Sequence, residues 1–246
     1  MKIVGVIPSR LSSTRLPNKP MADILGMPMI AHVIQRSQLC KTLDDLYVVT
    51  DSLEICDVAK QYDCKYLLTK DKHNTGTDRI GEVISKLDAD IIVNIQGDEA
   101  LVTPADIDAA SQILINRPDI EMGMLATKFF NASSPSDVKV ALNLLNEIIY
   151  FSRADIPLQA PSPSRSFFKA FHVVSFTKEG LRKFCALEQT PIEKIESIEY
   201  MRAIENNIKI GCTIVESSAI SVDTPQDLEV VRRLMEQDML IKKYLK

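Results

Sequence analysis

Ile91-Ile92-Val93-Asn94-Ile95-Gln96-Gly97-Asp98-Glu99 (residues 91–99) is a short apolar run that ends in a glycine and two acids. Its length, its branched side chains and the glycine that closes it predict a strand over Ile91–Ile95. A run of this kind belongs to a strand buried on both faces, as in the middle of a parallel sheet. Ligands of open α/β sheets bind beyond the carboxyl ends of the strands. Asp98 therefore stands where a carboxylate can hold Mg²⁺ beside substrate phosphates. On its own, an aspartate at such a place is more commonly a turn or cap residue.

The same pattern extends on both sides. Strands are predicted at Lys2–Ile7, Leu46–Thr50 and Lys65–Leu68, and helices at Pro28–Leu39, Leu53–Gln61 and Thr77–Leu87. In the last of these, Ile80, Val83, Ile84 and Leu87 share one face. Pro104–Ile115 is a helix with Thr103 as its cap and proline at its first position. Strand–helix alternation implies a mostly parallel, Rossmann-like sheet covered by helices, an α/β fold.

After about Met122 the pattern changes. Met122–Phe130, Val138–Leu144 and Ile148–Ser152 read as strands without long helices between them. Asp155–Lys169, with three prolines among serines, reads as a loop. A strand at Ala170–Phe176, helices at Lys178–Leu187 and Pro191–Glu205, a strand at Lys209–Val215 and a helix at Pro225–Glu236 complete the chain. We expect one domain over 1–246, with a β-rich lobe inserted at about 122–176.

The 246 residues are 46% hydrophobic and 25% charged, with net charge −4. These are the proportions of a folded globular chain, and they give no reason to expect a nucleic-acid partner. No apolar run exceeds four residues, so no membrane-spanning helix is expected. The N-terminus lacks the long apolar region of a signal peptide. Five cysteines at irregular spacing form no disulfide or zinc pattern, and the cytoplasm is the simplest compartment.

Against this mild acidity, the first 22 residues hold Lys2, Arg10, Arg15 and Lys19 and no acid. The loop after the first strand is Pro8-Ser9-Arg10-Leu11-Ser12-Ser13-Thr14-Arg15-Leu16-Pro17-Asn18-Lys19-Pro20. Arginine forks, a lysine charge and hydroxyl donors suit phosphate oxygens. The loop matches neither GxGxxG nor GxxxxGK[ST], which argues against a nicotinamide-dependent dehydrogenase and against a Walker-type site. Near the C-terminus, Asp223 in Val222-Asp223-Thr224-Pro225 reads either as the cap of the following helix or as a second metal ligand. His32 and the cysteines read as packing residues. His73 lies in a polar loop.

Taken together, IPSRLSSTRLPNKP (7–20), GMPMIAHV (26–33), HNTGTDRI (73–80), VNIQGDEA (93–100), YFSRADIP (150–157), PIEKIESIEYMR (191–202) and VDTPQDLE (222–229) resemble the CMP-sugar-acid synthetases, most closely those that activate 3-deoxy-manno-octulosonate (Kdo). The resemblance spans nearly the whole chain. It implies a fold of the nucleotide-diphosphosugar-transferase type, CTP and a sugar acid as substrates, Mg²⁺ as cofactor, and a homodimer built partly through the lobe. It also implies a role in lipopolysaccharide biosynthesis. By the same resemblance Arg10, Ser13, Arg15, Lys19, Arg79 and Gln96 bind the nucleotide, and Asp98 and Asp223 the metal. Arg10, Lys19, Asp98 and Asp223 carry catalysis, while Arg153, Glu199, Tyr200 and His172 face the sugar. Ala170 and Tyr200 stand where the family usually has histidine and glutamine, which leaves room for another acid. The alternatives are a sialic-acid-type (N-acylneuraminate) synthetase or a non-catalytic nucleotide-binding relative.

Overall fold

The computed structural model describes residues 1–12, 15–70, 72–130, 134, 136–157, 167–217 and 220–245. Its elements run β1 (Ile3–Ser9), β2 (Asp23–Ile24), β3 (Met27–Pro28), α1 (Met29–Gln38), β4 (Asp45–Thr50), α2 (Leu53–Gln61), β5 (Lys65–Leu68), α3 (Gly76–Val83) and β6 (Ile91–Ile95). They continue with α4 (Pro104–Asn116), β7 (Met122–Phe129), β8 (Lys139–Leu142), β9 (Glu147–Ser152), β10 (Phe167–Thr177), α5 (Lys178–Ala186), α6 (Pro191–Glu196), α7 (Met201–Glu205), β11 (Ile210–Val215) and α8 (Pro225–Glu236).

Every residue of β1 and of β6 is buried, because helices cover both faces of the sheet there. Neighbours along β1 go to opposite sides. Val6 joins Ile80, Val83, Phe176 and Phe184 in one core. Ile7 joins Ile30, Val33, Ile34 and Ile107 in the other. This is the period of two that a strand imposes. A third, smaller core forms where Leu228, Val231 and Met235 of α8 meet Ile24, Met29 and Val222.

The nine-stranded sheet has the order β5-β4-β1-β6-β10-β7-β11-β9-β8. Pairs β5–β4, β4–β1, β1–β6 and β7–β11 are parallel. Strand β10 is antiparallel to both β6 and β7, and β9 is antiparallel to β11 and β8. The expectation of a mostly parallel sheet therefore needs correction: the sheet is mixed. Strands β7 to β10 follow one another without a helix among the described residues between them, and neighbours of this kind pair antiparallel instead of crossing over. The segment 122–176 supplies β7 to β10. Within it, β7 and the second half of β10 lie in the middle of the sheet, while β8 and β9 form its far end.

Two helix predictions change at their ends. Thr77–Leu87 becomes α3 followed by a single tight turn at Ile84–Lys86. Pro191–Glu205 is broken into α6 and α7 at Ser197, which has a left-handed backbone (φ 52°). The break lets Glu205 fold back and accept the Ile192 and Glu193 amides at 3.1 and 3.2 Å. In one straight helix those residues would lie about 20 Å apart. The loop expected at Asp155–Lys169 falls largely outside the described residues, and its last three positions belong to β10.

Candidate active site

The carboxyl ends of β1 and β6 open into a cleft of about 550 Å³. Gly97 makes their turns meet: a Cβ there would lie 2.9 Å from the Pro8 carbonyl oxygen. The β1 loop brings Arg10, Ser12, Arg15 and Lys19 to the cleft, α3 brings Gly76 and Arg79, and the turn after β6 brings Gln96 and Asp98. Asp223 arrives from the segment before α8, whose Val222 amide donates to the Asp98 carbonyl at 3.1 Å.

Lys19 Nζ lies 2.6 Å from Asp98 Oδ2 and 3.3 Å from Asp223 Oδ1, and Arg15 Nη2 is 2.9 Å from Asp223 Oδ1. Two carboxylates 125 residues apart thus converge on one cation. Burial opposes the ammonium of Lys19, but Asp98 and Asp223 outweigh it and raise its pKa. The cap of α8 is Thr224, whose hydroxyl accepts the Asp227 amide while Asp227 returns the bond. The helix start is satisfied without the Asp223 side chain, so of its two readings the capping one falls.

Arg79 is buried, 3.4 Å from Asp51, and donates to the Lys70 carbonyl at 3.1 Å. Burial lowers its pKa, Asp51 opposes that, and the nearby positive charge of Arg10 adds to it. Three guanidiniums, of Arg10, Arg15 and Arg79, line the cleft and make it a site for anions. Ser13 lies outside the described residues. His73 lines the cleft and pairs with Glu82 at 2.7 Å.

The residues expected at the sugar lie outside this lining. His172 sits at an irregularity in β10 between Phe171 and Val174. Burial lowers its pKa, while Asp98 and Asp223 raise it and Lys169 and Arg153 lower it. It therefore shares the field of the paired aspartates. Arg153 donates to the backbone carbonyls of Glu196 and Ser197 at 3.0 and 3.3 Å. Glu199 accepts from the Thr77 hydroxyl at 2.9 Å. The Tyr200 ring is in the core, 3% exposed, 6.3 Å from Phe151 and 6.2 Å from Phe184, centroid to centroid. Ala170 is buried in that same core.

Three features escaped the sequence reading. Glu99 is 1% exposed, and burial together with the Asp98 charge raises its carboxyl to about 7, against a donated bond from the Ser221 hydroxyl. Lys139, fully buried, donates to the carbonyls of Ser134, Asp137 and Arg153. Asn94 and Thr77 are buried and hydrogen-bonded to each other. A polar Asn94 inside an apolar strand was the one signal visible beforehand, since buried amides require partners.

The arrangement is a cleft lined by arginines and a lysine, with two carboxylates paired to that lysine. Comparison with known proteins gives the rest. The cytidylyltransferase family profile matches residues 4–210. A 3-deoxy-manno-octulosonate cytidylyltransferase of Solibacter usitatus is 39% identical over 243 residues, covering 97% of this chain and 96% of its own. One of Francisella tularensis subsp. novicida is 40% identical over 245 residues, covering 93% and 96%. The structure of a CMP:2-keto-3-deoxy-manno-octonic acid synthetase complexed with CTP matches with TM-score 0.92 and 34% identity, over 96% of this chain and 99% of that one. The chain belongs to the cytidylyltransferase family.

Proposed function

We propose that this cytidylyltransferase joins CTP to Kdo, giving CMP-Kdo and pyrophosphate. The observation that carries the reading is the convergence of Asp98 and Asp223 on Lys19 at the mouth of the arginine-lined cleft. The names of the relatives favour the eight-carbon acid over the nine-carbon alternative. In this reading Arg10, Arg15 and Lys19 neutralise the triphosphate and the departing pyrophosphate, while Gln96 and Arg79 hold the nucleoside end. His172 and Arg153 face the sugar acid. The anomeric hydroxyl attacks the α-phosphorus, and the protein contributes chiefly position and charge.

The donor set suits Mg²⁺: two hard carboxylates, with substrate oxygens left to complete the shell. Asp98 and Asp223 are the residues that would hold it. Among the described residues no cage of three or more Cys, His, Asp or Glu exists, which fits an ion that arrives with its nucleotide. When bound, such an ion lowers the pKa of a coordinated hydroxyl and stabilises charge on phosphate oxygens.

Leu144, Leu145 and Ile149, on and beside the β8–β9 hairpin, are exposed apolar side chains, as is Ile214 on the neighbouring strand β11. We read them as the contact surface of a homodimer, since apolar groups clustered at a protein surface mark association sites. All five cysteines are free thiols, which suits work in the cytoplasm on lipopolysaccharide precursors. Among the described residues no helix is long and apolar enough to cross a membrane.

Pyrophosphate release with CTP and a panel of sugar acids tests the reading. Kdo is expected to be turned over most efficiently, with CTP strongly preferred to ATP. Comparable efficiency with ATP, or turnover of none of the acids, overturns it.

A further inference from the structure

A chain of four buried or half-buried polar side chains runs from the cleft into the protein. Gln96 Nε2 donates to Asn94 Oδ1 at 3.1 Å, Asn94 Nδ2 donates to Thr77 Oγ1 at 3.2 Å, and Thr77 Oγ1 donates to Glu199 Oε1 at 2.9 Å. Asn94 and Thr77 are fully buried. The direction of the chain follows from its inner end. Thr77 Oγ1 donates to Glu199 Oε1, which uses the one proton its hydroxyl has. The Thr77 oxygen must then accept, which turns the Asn94 amide nitrogen toward it. The Asn94 oxygen is left facing Gln96, and it takes the Gln96 Nε2 proton. Each amide is fixed by the one behind it.

What remains at the outer end is Gln96 Oε1, an acceptor with no hydrogen bond among the described residues. Gln96 lines the cleft, and so does Gly76. A Cβ on Gly76 would stand 3.4 Å from Gln96 Oε1 and 3.1 Å from Pro8 Cγ. The glycine keeps open the space in front of the acceptor.

We propose that Glu199, Thr77 and Asn94 act as positioning residues that hold the Gln96 amide with its oxygen toward the cleft, so that the site selects a substrate group that donates a hydrogen bond. This rests on the reading of Gln96 as facing the ligand. Two substrate groups have that chemistry: the exocyclic amine of cytosine, which uracil lacks, and a hydroxyl of the sugar acid. A flipped amide would present donors instead, which the cytosine amine cannot accept and a hydroxyl could meet only by reversing its own bond.

Steady-state kinetics on the full-length enzyme test it in two arms. One arm compares kcat/KM for CTP and UTP with Kdo as the acceptor. The other measures KM for Kdo at saturating CTP. Thr77→Val keeps the shape and removes the hydroxyl; Thr77→Ala serves where valine impairs folding. The expected result is a change of roughly tenfold in one arm, the size of a lost or reversed hydrogen bond. That arm identifies the donor. Thr77→Ser is expected to restore the wild-type value, and Thr77→Val to add nothing in a Gln96→Ala background. If Gln96→Ala is impaired while Thr77→Val behaves as wild type, the relay is overturned and the placement of Gln96 stands. If Gln96→Ala changes neither arm, that placement fails and the inference falls with it. An effect of Thr77→Val that persists undiminished without Gln96 also overturns the relay.

Discussion

Asp223 shows how one side chain gains a role by losing another. In the sequence, an aspartate just before Thr-Pro reads equally well as a cap. In the fold Thr224 and Asp227 close a reciprocal capping box, and Asp223 turns to Lys19 and Arg15. The two roles are separable by mutation. Thr224→Ala is expected to cost about 1 kcal/mol of stability and to spare kcat in calorimetry and turnover assays. Asp223→Asn and Asp98→Asn are expected to leave the melting temperature close to wild type and to lower kcat/KM roughly a hundredfold or more. Near-normal turnover of Asp223→Asn at saturating Mg²⁺ would show that only one aspartate is needed. The convergence of Arg10, Arg15, Lys19, Asp98 and Asp223 on one cleft was legible in the sequence because they lie in one contiguous basic loop and two acidic turns. The relay behind Gln96 was not, since Asn94, Thr77 and Glu199 come from three separate segments that only the fold brings together.

Among the elements, α2, β5 and β6 match their predicted limits to the residue, because apolar period and flanking turn residues agree there. Pro191–Glu205 read as one helix because its periodicity is unbroken; the break is dictated by Glu205 capping α6 from behind, a tertiary bond no local pattern records. The C-terminal segment depends on a similar device. Buried Arg36 of α1 pairs with Asp238, which follows α8, and Tyr244 contacts both Arg36 and His32. His32 also bonds the Ile24 carbonyl at 2.8 Å. Burial holds its pKa below the usual 6.5, the Ile24 carbonyl opposes this, and the Arg36 charge reinforces it. Below about 6.5 the unfolded chain takes up a proton that the folded chain refuses, so this contribution is complete above that pH and is lost as pH falls toward the lower folded value. The melting temperature of the wild type is expected to drop between about pH 7 and pH 5. His32→Gln, which keeps a donor for Ile24, is expected to flatten that part of the curve; an unchanged slope would place the titrating group elsewhere.

For the whole molecule, β10 is the strand that joins the two ends of the sheet. Its first half pairs with β8 and β7, its second half with β6 and β7. One continuous strand thus runs from its pairing with β8, the hairpin partner of β9, to His172, which feels the charges of Asp98 and Asp223. Leu144 is wholly exposed and Ile149 about half exposed, so both are available to a second copy in the dimer reading. Leu144→Lys with Ile149→Asp is expected to shift the protein from dimer to monomer in sedimentation equilibrium while the far-ultraviolet spectrum stays native. A monomeric wild type would remove the contact surface from the account. The run of strands without helices after Met122 reads in the sequence as an inserted lobe, and neither the mixed character of the sheet nor the strand order was foreseen, because pairing between distant strands leaves no local trace.

The lysine between Asp98 and Asp223 is, in the free protein, a tethered competitor for any ion that would occupy that place. Its local concentration is set by the chain and cannot be diluted away. If Asp98 and Asp223 hold a divalent ion as proposed, one arriving alone would have to evict the ammonium, whereas a bound nucleotide would offer it other anions. Ion and nucleotide should then promote one another's binding, and by linkage each raises the other's affinity by the same factor. In Mn²⁺ titrations followed by electron paramagnetic resonance, wild type is expected to bind the ion weakly until CTP is added. Lys19→Met is expected to bind the ion more tightly in the absence of CTP, and to lose most of that mutual dependence.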